Sequence, residues 1–163
     1  MNKEYLESVT KIFLQYKSIA EKAIAQVEPG QLFVQPNEDS NSIGIIVKHM
    51  AGNMISRWTN FFTTDGEKPD RKRDSEFEND IQDKEQLLKR WEQGWNVFLD
   101  TLTTIKPDDL HKTVYIRGEA HSVLEAINRQ LAHYSYHVGQ IVYVAKMLKK
   151  TEWNSLSIPR KKS

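Results

Sequence analysis

The chain contains no cysteine. That absence removes disulfides, thiolate metal ligands and cysteine nucleophiles together, so any thiol chemistry must use a thiol that a substrate brings. Also missing is an uncharged apolar stretch long enough to cross a bilayer, which excludes a membrane span. Neither sign of charge is in surplus: 23 Lys plus Arg stand against 22 Asp plus Glu, a formal net charge of +1. Such a chain has no global field to steer a polyanion, and without a basic helical face nucleic acid is not expected as a partner. The first residues carry both signs and run straight into an amphipathic pattern, with no apolar core or small-residue cleavage site of an export signal. Together with the missing thiols, this gives a cytoplasmic protein as the expectation.

What is present is globular composition: 163 residues, 39% hydrophobic and 28% charged, enough for one real core and too few for two ordinary domains. A single domain over residues 1–163 is expected. Four segments carry apolar residues at spacings of three and four, the helical period. The first contains Leu6, Val9, Phe13, Tyr16, Ala20 and Ile24 and stops near Pro29-Gly30. The second follows a cap at Asn41 or Ser42 and runs through Ile43, Val47, Met50, Met54, Trp58 and Phe62. The third reads Ile81, Leu88, Trp91, Trp95, Phe98 and Leu102, its tryptophans suited to a core or an interface. The last opens on a capping box, Ser122 with Glu125, and continues through Ile127, Tyr134, Ile141 and Leu148.

Four such helices bury their stripes together most simply as an all-α four-helix bundle. The connection between the second and third helices, from Thr63 to Asn79, is long and polar. A loop of that length is functional or mobile, and it permits a crossover. Its basic run Arg71-Lys72-Arg73, like the tail Arg160-Lys161-Lys162, reads as solvated punctuation. Thr113 to Ile116, β-branched and aromatic, reads as a short extended segment. Residues from Trp153 to Ser163 read as a non-helical tail packed across one end.

The last helix carries His133 and His137, four apart, so both imidazoles project from one face with Cβ atoms roughly 5–6 Å apart. That is chelating geometry, and the pair adjoins the apolar seam. Gly139 beside it lowers helix propensity by about 1 kcal/mol relative to Ala, which suggests a close helix approach. His49 lies on the shoulder of the second stripe. Three imidazoles from two packed helices would leave a divalent ion with open coordination positions. Zinc or nickel suits that ligand type, and so does iron. Each ring would need a partner to orient it, and Asn53 and Gln140, each about one turn from a histidine, are the candidates. His111 and His121 lie in the connection before the last helix and read as ordinary loop residues. Ser135 lacks the flanking glycines of a nucleophile elbow.

The segment SIGIIVKHM, residues 42–50, and the segment HYSYHVGQ, residues 133–140, carry a resemblance to the DinB/YfiT-like metalloenzyme family over most of the chain. The ending from Trp153 to Arg160 resembles a bacterial subgroup of that family. The resemblance implies a four-helix bundle, a homodimer, and a divalent metal on His49, His133 and His137. Relatives with known activity include transferases and isomerases that use low-molecular-weight thiols such as bacillithiol or mycothiol. The implied function is therefore a metal-dependent enzyme, foremost a thiol S-transferase in detoxification, with a small-molecule thiol or electrophile as substrate. A metal-dependent hydrolase and a non-catalytic metal-binding or stress-response module are the competing expectations.

Overall fold

The computed structural model describes residues 2–149 and 152–158. Four helices dominate it: α1 (Asn2–Ile24), α2 (Ile43–Trp58), α3 (Lys84–Thr104) and α4 (Val123–Lys149), with a hairpin of β1 (Thr113–Ile116) and β2 (Glu119–Ser122) before the last. The starts are fixed by side chains that satisfy free amides. Ser42 Oγ accepts from Ile45 N at 3.2 Å and Asp83 Oδ1 from Gln86 N at 2.8 Å. At α4 the capping box forms in both directions, Glu125 N to Ser122 Oγ and Ser122 N to Glu125 Oε2.

Pairing between helices sets the topology. Tyr5 OH donates to Asn128 Oδ1 near the start of α4, while Gln31, just beyond α1, donates to Leu148 O near its end, so α1 and α4 run parallel. Ala51 faces Gly94, and Thr101 Oγ1 donates to Trp58 O, so α2 and α3 also run parallel. His49 opposes His137 while Trp58 opposes Gln130, which makes α2 antiparallel to α4. Parallel sequential helices require the chain to travel back the full length of the bundle. Residues 59–83 make that crossover, which explains why the second connection is so long.

At the centre, aromatic rings from all four helices meet edge to face. Phe98 lies 4.6 Å from Phe13, 4.7 Å from Trp58 and 5.4 Å from Tyr134, centroid to centroid. Trp91 and Trp95 are wholly buried, so both belong to the core. The close approach between helices falls at Gly94, where an added Cβ would lie 2.8 Å from Ala51 Cα. At Gly139 an added Cβ would meet nothing within 4 Å, so the close approach expected there does not exist.

Three boundaries differ from the periodic reading. Helix α2 ends at Trp58, because Asn60 takes a left-handed φ of 52° and turns the chain; Phe61 reaches the core from that turn and stacks on Trp58 at 4.5 Å. Ile81 precedes the cap of α3 rather than lying in the helix. The extended segment at Thr113 to Ile116 pairs with Glu119 to Ser122, through Arg117 and Gly118 at φ 56° and 75°. Two consecutive positive φ values match the twist of a two-residue hairpin. In the tail, Trp153 and Leu156 pack against the core and Gln26 exchanges hydrogen bonds with Asn154. The part of the expected tail beyond residue 158 lies outside the described residues. No described helix is long and apolar enough to cross a membrane.

Candidate metal centre

Antiparallel packing of α2 on α4 brings His49 against His133 and His137. The Nε2 of His133 lies 3.0 Å from that of His137 and 3.4 Å from that of His49. All three candidate ligand atoms fall within 4.8 Å of one another, close enough to share one ion. His49 and His137 are buried and His133 half-buried.

Their outer nitrogens are held by neighbours. His49 Nδ1–H donates to Glu76 Oε2 at 2.9 Å, and His137 Nδ1–H donates to Gln140 Oε1 at 2.8 Å. A ring that donates from Nδ1 keeps its Nε2 lone pair free, which is the tautomer a metal needs. His133 is set differently. Gln130 Nε2 lies 3.3 Å from its Nδ1 and also donates to Asn53 Oδ1 at 3.0 Å, while Gln130 Oε1 accepts from Trp58 Nε1. His133 Nδ1 therefore accepts, and its proton sits on Nε2, pointing at His137. To ligate, His133 must pass that proton to Nδ1, and Gln130 must turn its carbonyl to receive it. That turn also gives up the amide's bonds from Trp58 and to Asn53, so the three imidazoles fit a divalent ion once the Asn53–Gln130–Trp58 chain rearranges with it.

Glu76 arrives from the crossover, not from a helix. A short 3-10 turn, Asp74–Phe77, packs against α2 and is tied down by Lys48 Nζ, which donates to Ser75 O at 2.5 Å and pairs with Asp80. Arg71 forks onto Glu76, Nε to Oε1 at 2.8 Å and Nη2 to Oε2 at 2.7 Å, and also pairs with Glu67. Its side chain is only 5% exposed, so Arg71, unlike the exposed Lys72 and Arg73 of the same run, departs from the solvated expectation and holds the carboxylate that orients His49. Burial alone would raise the Glu76 carboxyl, but the hydrogen bonds from His49 and Arg71 outweigh it and hold it below its usual range. Gly52 makes room, since a Cβ there would run into Glu76 Oε1. Replacing Glu76 by Gln should lower zinc affinity about 10- to 100-fold. Competition against a chromogenic chelator measures it, and unchanged affinity would mean His49 needs no such partner.

Burial, with His137, His49, Arg57 and Arg71 adding to it, pushes the His133 pKa down to about 3. Burial also lowers His137, to about 4, although its bond to Gln140 works the other way. Both rings are thus neutral at pH 7. Because these folded values lie below the ordinary 6.5, the unfolded chain takes up protons first as pH falls. The stability contributed by the two rings is complete above about pH 6.5 and drains away toward pH 4 and 3. Urea midpoints of the metal-free protein should fall between pH 7 and pH 4.5, and less so in His133→Asn; equal slopes in the two proteins would refute the assignment.

A cavity of about 340 Å³ opens beside the cluster. His49, Asn53 and His133 form one wall, and Arg57, Arg71, Arg73, Arg117 and Arg129 form the rest. Asp65 places Arg117 there by accepting from the turn amides of Arg117 and Gly118 at 2.9 and 2.7 Å.

Of the residues singled out in the sequence, His49, His133 and His137 converge and Gln140 orients His137. Asn53 does not touch His49; it acts one step removed, through Gln130. His111 is exposed and His121 faces Glu119 in the hairpin, both away from the cluster. The periodic reading gives no role to Glu76, Gln130, Arg57, Arg117 or Arg129, and places Arg71 and Arg73 in a solvated run. A signal for two of them was present: Arg57 and Gln130 are polar residues set within apolar helical stretches.

Fold and site together define a helical-bundle protein with a candidate three-histidine metal centre. The chain belongs to the family described as protein of unknown function (DUF1572), whose model matches residues 1–162. No curated protein and no solved structure matches it.

Proposed function

We propose that the chain is a divalent-metal-dependent enzyme of the DinB/YfiT-like kind, with His49, His133 and His137 as ligands and zinc or nickel as the first candidates. The observation that carries this reading is the convergence of three imidazole Nε2 atoms, with two of the rings, His49 and His133, lining a cavity of small-molecule size. A structural site would be closed by a fourth protein ligand, and among the described residues the cluster includes no fourth histidine or carboxylate. A divalent ion supplies Lewis acidity, lowering the pKa of a thiol or water that reaches its open positions. The protein's own residues keep His133 and His137 neutral by burial and orient His49 through Glu76 and His137 through Gln140.

Within that class the favoured reaction is S-transfer from a low-molecular-weight thiol. The thiol loses its proton to solvent, sulfur forms a bond to an electrophilic carbon, and the leaving group departs with the electron pair of the broken bond. A chain without cysteine has no nucleophilic sulfur of its own, so the thiol must enter as a substrate. The test is turnover of an alkyl halide by zinc- or nickel-loaded protein with candidate thiols added singly. Conjugate formation that needs both metal and thiol supports transfer. Turnover of an ester without any thiol would favour a hydrolase, and inertness toward both substrate classes would contradict the enzyme reading.

A further inference from the structure

Among the described residues, the cavity beside the histidines is lined by five arginines and no carboxylate. Arg71 and Arg117 are compensated from behind by Glu67, and Arg71 by Glu76 as well. Among the described residues, Arg57 and Arg129 have no carboxylate partner within ion-pair distance. Arg57 is only 4% exposed, its one hydrogen bond to a described residue is a long one of 3.5 Å from Nη1 to Gln130 Oε1, and its buried Nε meets no partner among them. Arginine is seldom buried without a partner, and an unsatisfied buried donor calls for an explanation. Burial works most against its charge, while the like charges of Arg129 and Arg71 are set against the attraction of Glu67.

We infer that this cavity is an anion site, and that the molecule brought to the histidine centre carries a carboxylate or phosphate group seated on Arg57 and Arg129. Guanidinium groups bind both anions through paired N–H donors, and a pocket walled by one sign of charge concentrates the opposite sign within it. Arg57 lines the cavity with one long hydrogen bond of its own, so an anion there meets guanidinium donors that the described residues leave almost unused. His49 and His133 line the same cavity, so an anion anchored there presents the rest of its molecule to the candidate metal ligands. Near-neutral net charge concealed this feature, because the arginines come from α2, the crossover, the hairpin turn and α4. Each is diluted locally by acidic residues, and only the fold gathers them.

This inference deepens the metal-enzyme reading by naming its substrate class, yet the arginines do not need the metal in order to bind an anion. Isothermal titration of the full chain, chelator-treated and then zinc-loaded, with succinate, phosphate and uncharged succinamide therefore tests the two separately. The expected result is saturable one-to-one binding of succinate or phosphate, with none for succinamide. The tighter of the two anions identifies the group. Arg129→Gln, an exposed position that should fold normally, is expected to weaken binding at least about 10-fold. Arg57→Lys keeps the charge, loses the paired donors, and should weaken it as well. Arg90→Gln, at an arginine that does not line the cavity, should leave it unchanged. Absence of saturable anion binding, or equal binding by the wild type and both cavity variants, overturns the inference. Zinc uptake without anion binding would sink the anion site and leave the metal reading; anion binding without zinc uptake would do the reverse.

Discussion

Replacing His133 by Ala is expected to weaken zinc binding by on the order of 100- to 1,000-fold. The magnitude follows from structural zinc sites, where about 10–16 kcal/mol over four ligands is roughly 3–4 kcal/mol each, at 1.4 kcal/mol per tenfold. His133 lies 3.0 Å from His137 and 3.4 Å from His49 through Nε2, so its loss leaves only two imidazoles to hold the ion. Folding should survive, because the side chain is only half-buried. Titration of each purified variant with a fluorescent zinc indicator gives the affinity, and His111→Ala, an exposed histidine, serves as the control that should behave as wild type. Equal losses in the two variants would point to weak, nonspecific binding by any histidine. The same substitution removes the acceptor that Gln130 donates to, so the variant should also show a rearranged Asn53–Gln130–Trp58 chain.

Phe98→Ala is expected to cost about 3–5 kcal/mol of folding stability. Phe98 is wholly buried and touches aromatic rings from the other three helices, Phe13 of α1, Trp58 of α2 and Tyr134 of α4. Removing the ring opens a cavity in the buried core, and each edge-to-face pair lost adds about 0.5–1.5 kcal/mol to the area term. At about 2–4 °C per kcal/mol for a chain of this size, Tm should fall by roughly 6–20 °C. Urea melts should show a lower midpoint with an unchanged slope, since the surface exposed on unfolding barely changes. Tyr136→Ala, on the outer face of α4 at 63% exposure, should stay within about 0.5 kcal/mol of wild type. A small effect at Phe98 would mean that the four helices do not share this centre.

These two positions also show what the sequence could and could not reveal. Phe98 and the histidine pair lie on helices with strong apolar periods, and a helical period fixes which residues share a face without any knowledge of the fold. Ser122 with Glu125 marked the start of α4 for the same local reason. Glu76 and Arg71 lie in the crossover, where no period operates. Their approach to His49, 27 residues from Glu76, exists only because α2 and α3 run parallel and the chain must travel back between them. The reading of Arg71 as solvated failed because a charge run in a polar loop looks the same whether it faces water or a carboxylate. Gly139 failed differently: low helix propensity signals that something requires a glycine, but not whether that is a neighbouring helix or open space. Asn53 was placed one step too close, since one helical turn from His49 is within reach on paper while the actual side chain turns to Gln130.

The central claim is that His49, His133 and His137 together hold a divalent ion with positions left open. X-ray absorption at the zinc edge of protein loaded with one equivalent tests it most directly. The account predicts three imidazole nitrogens at about 2.0–2.1 Å, with the remaining coordination filled by oxygen that an added thiol replaces. Failure to retain one equivalent of zinc, or a first shell containing fewer than three imidazoles, would contradict it.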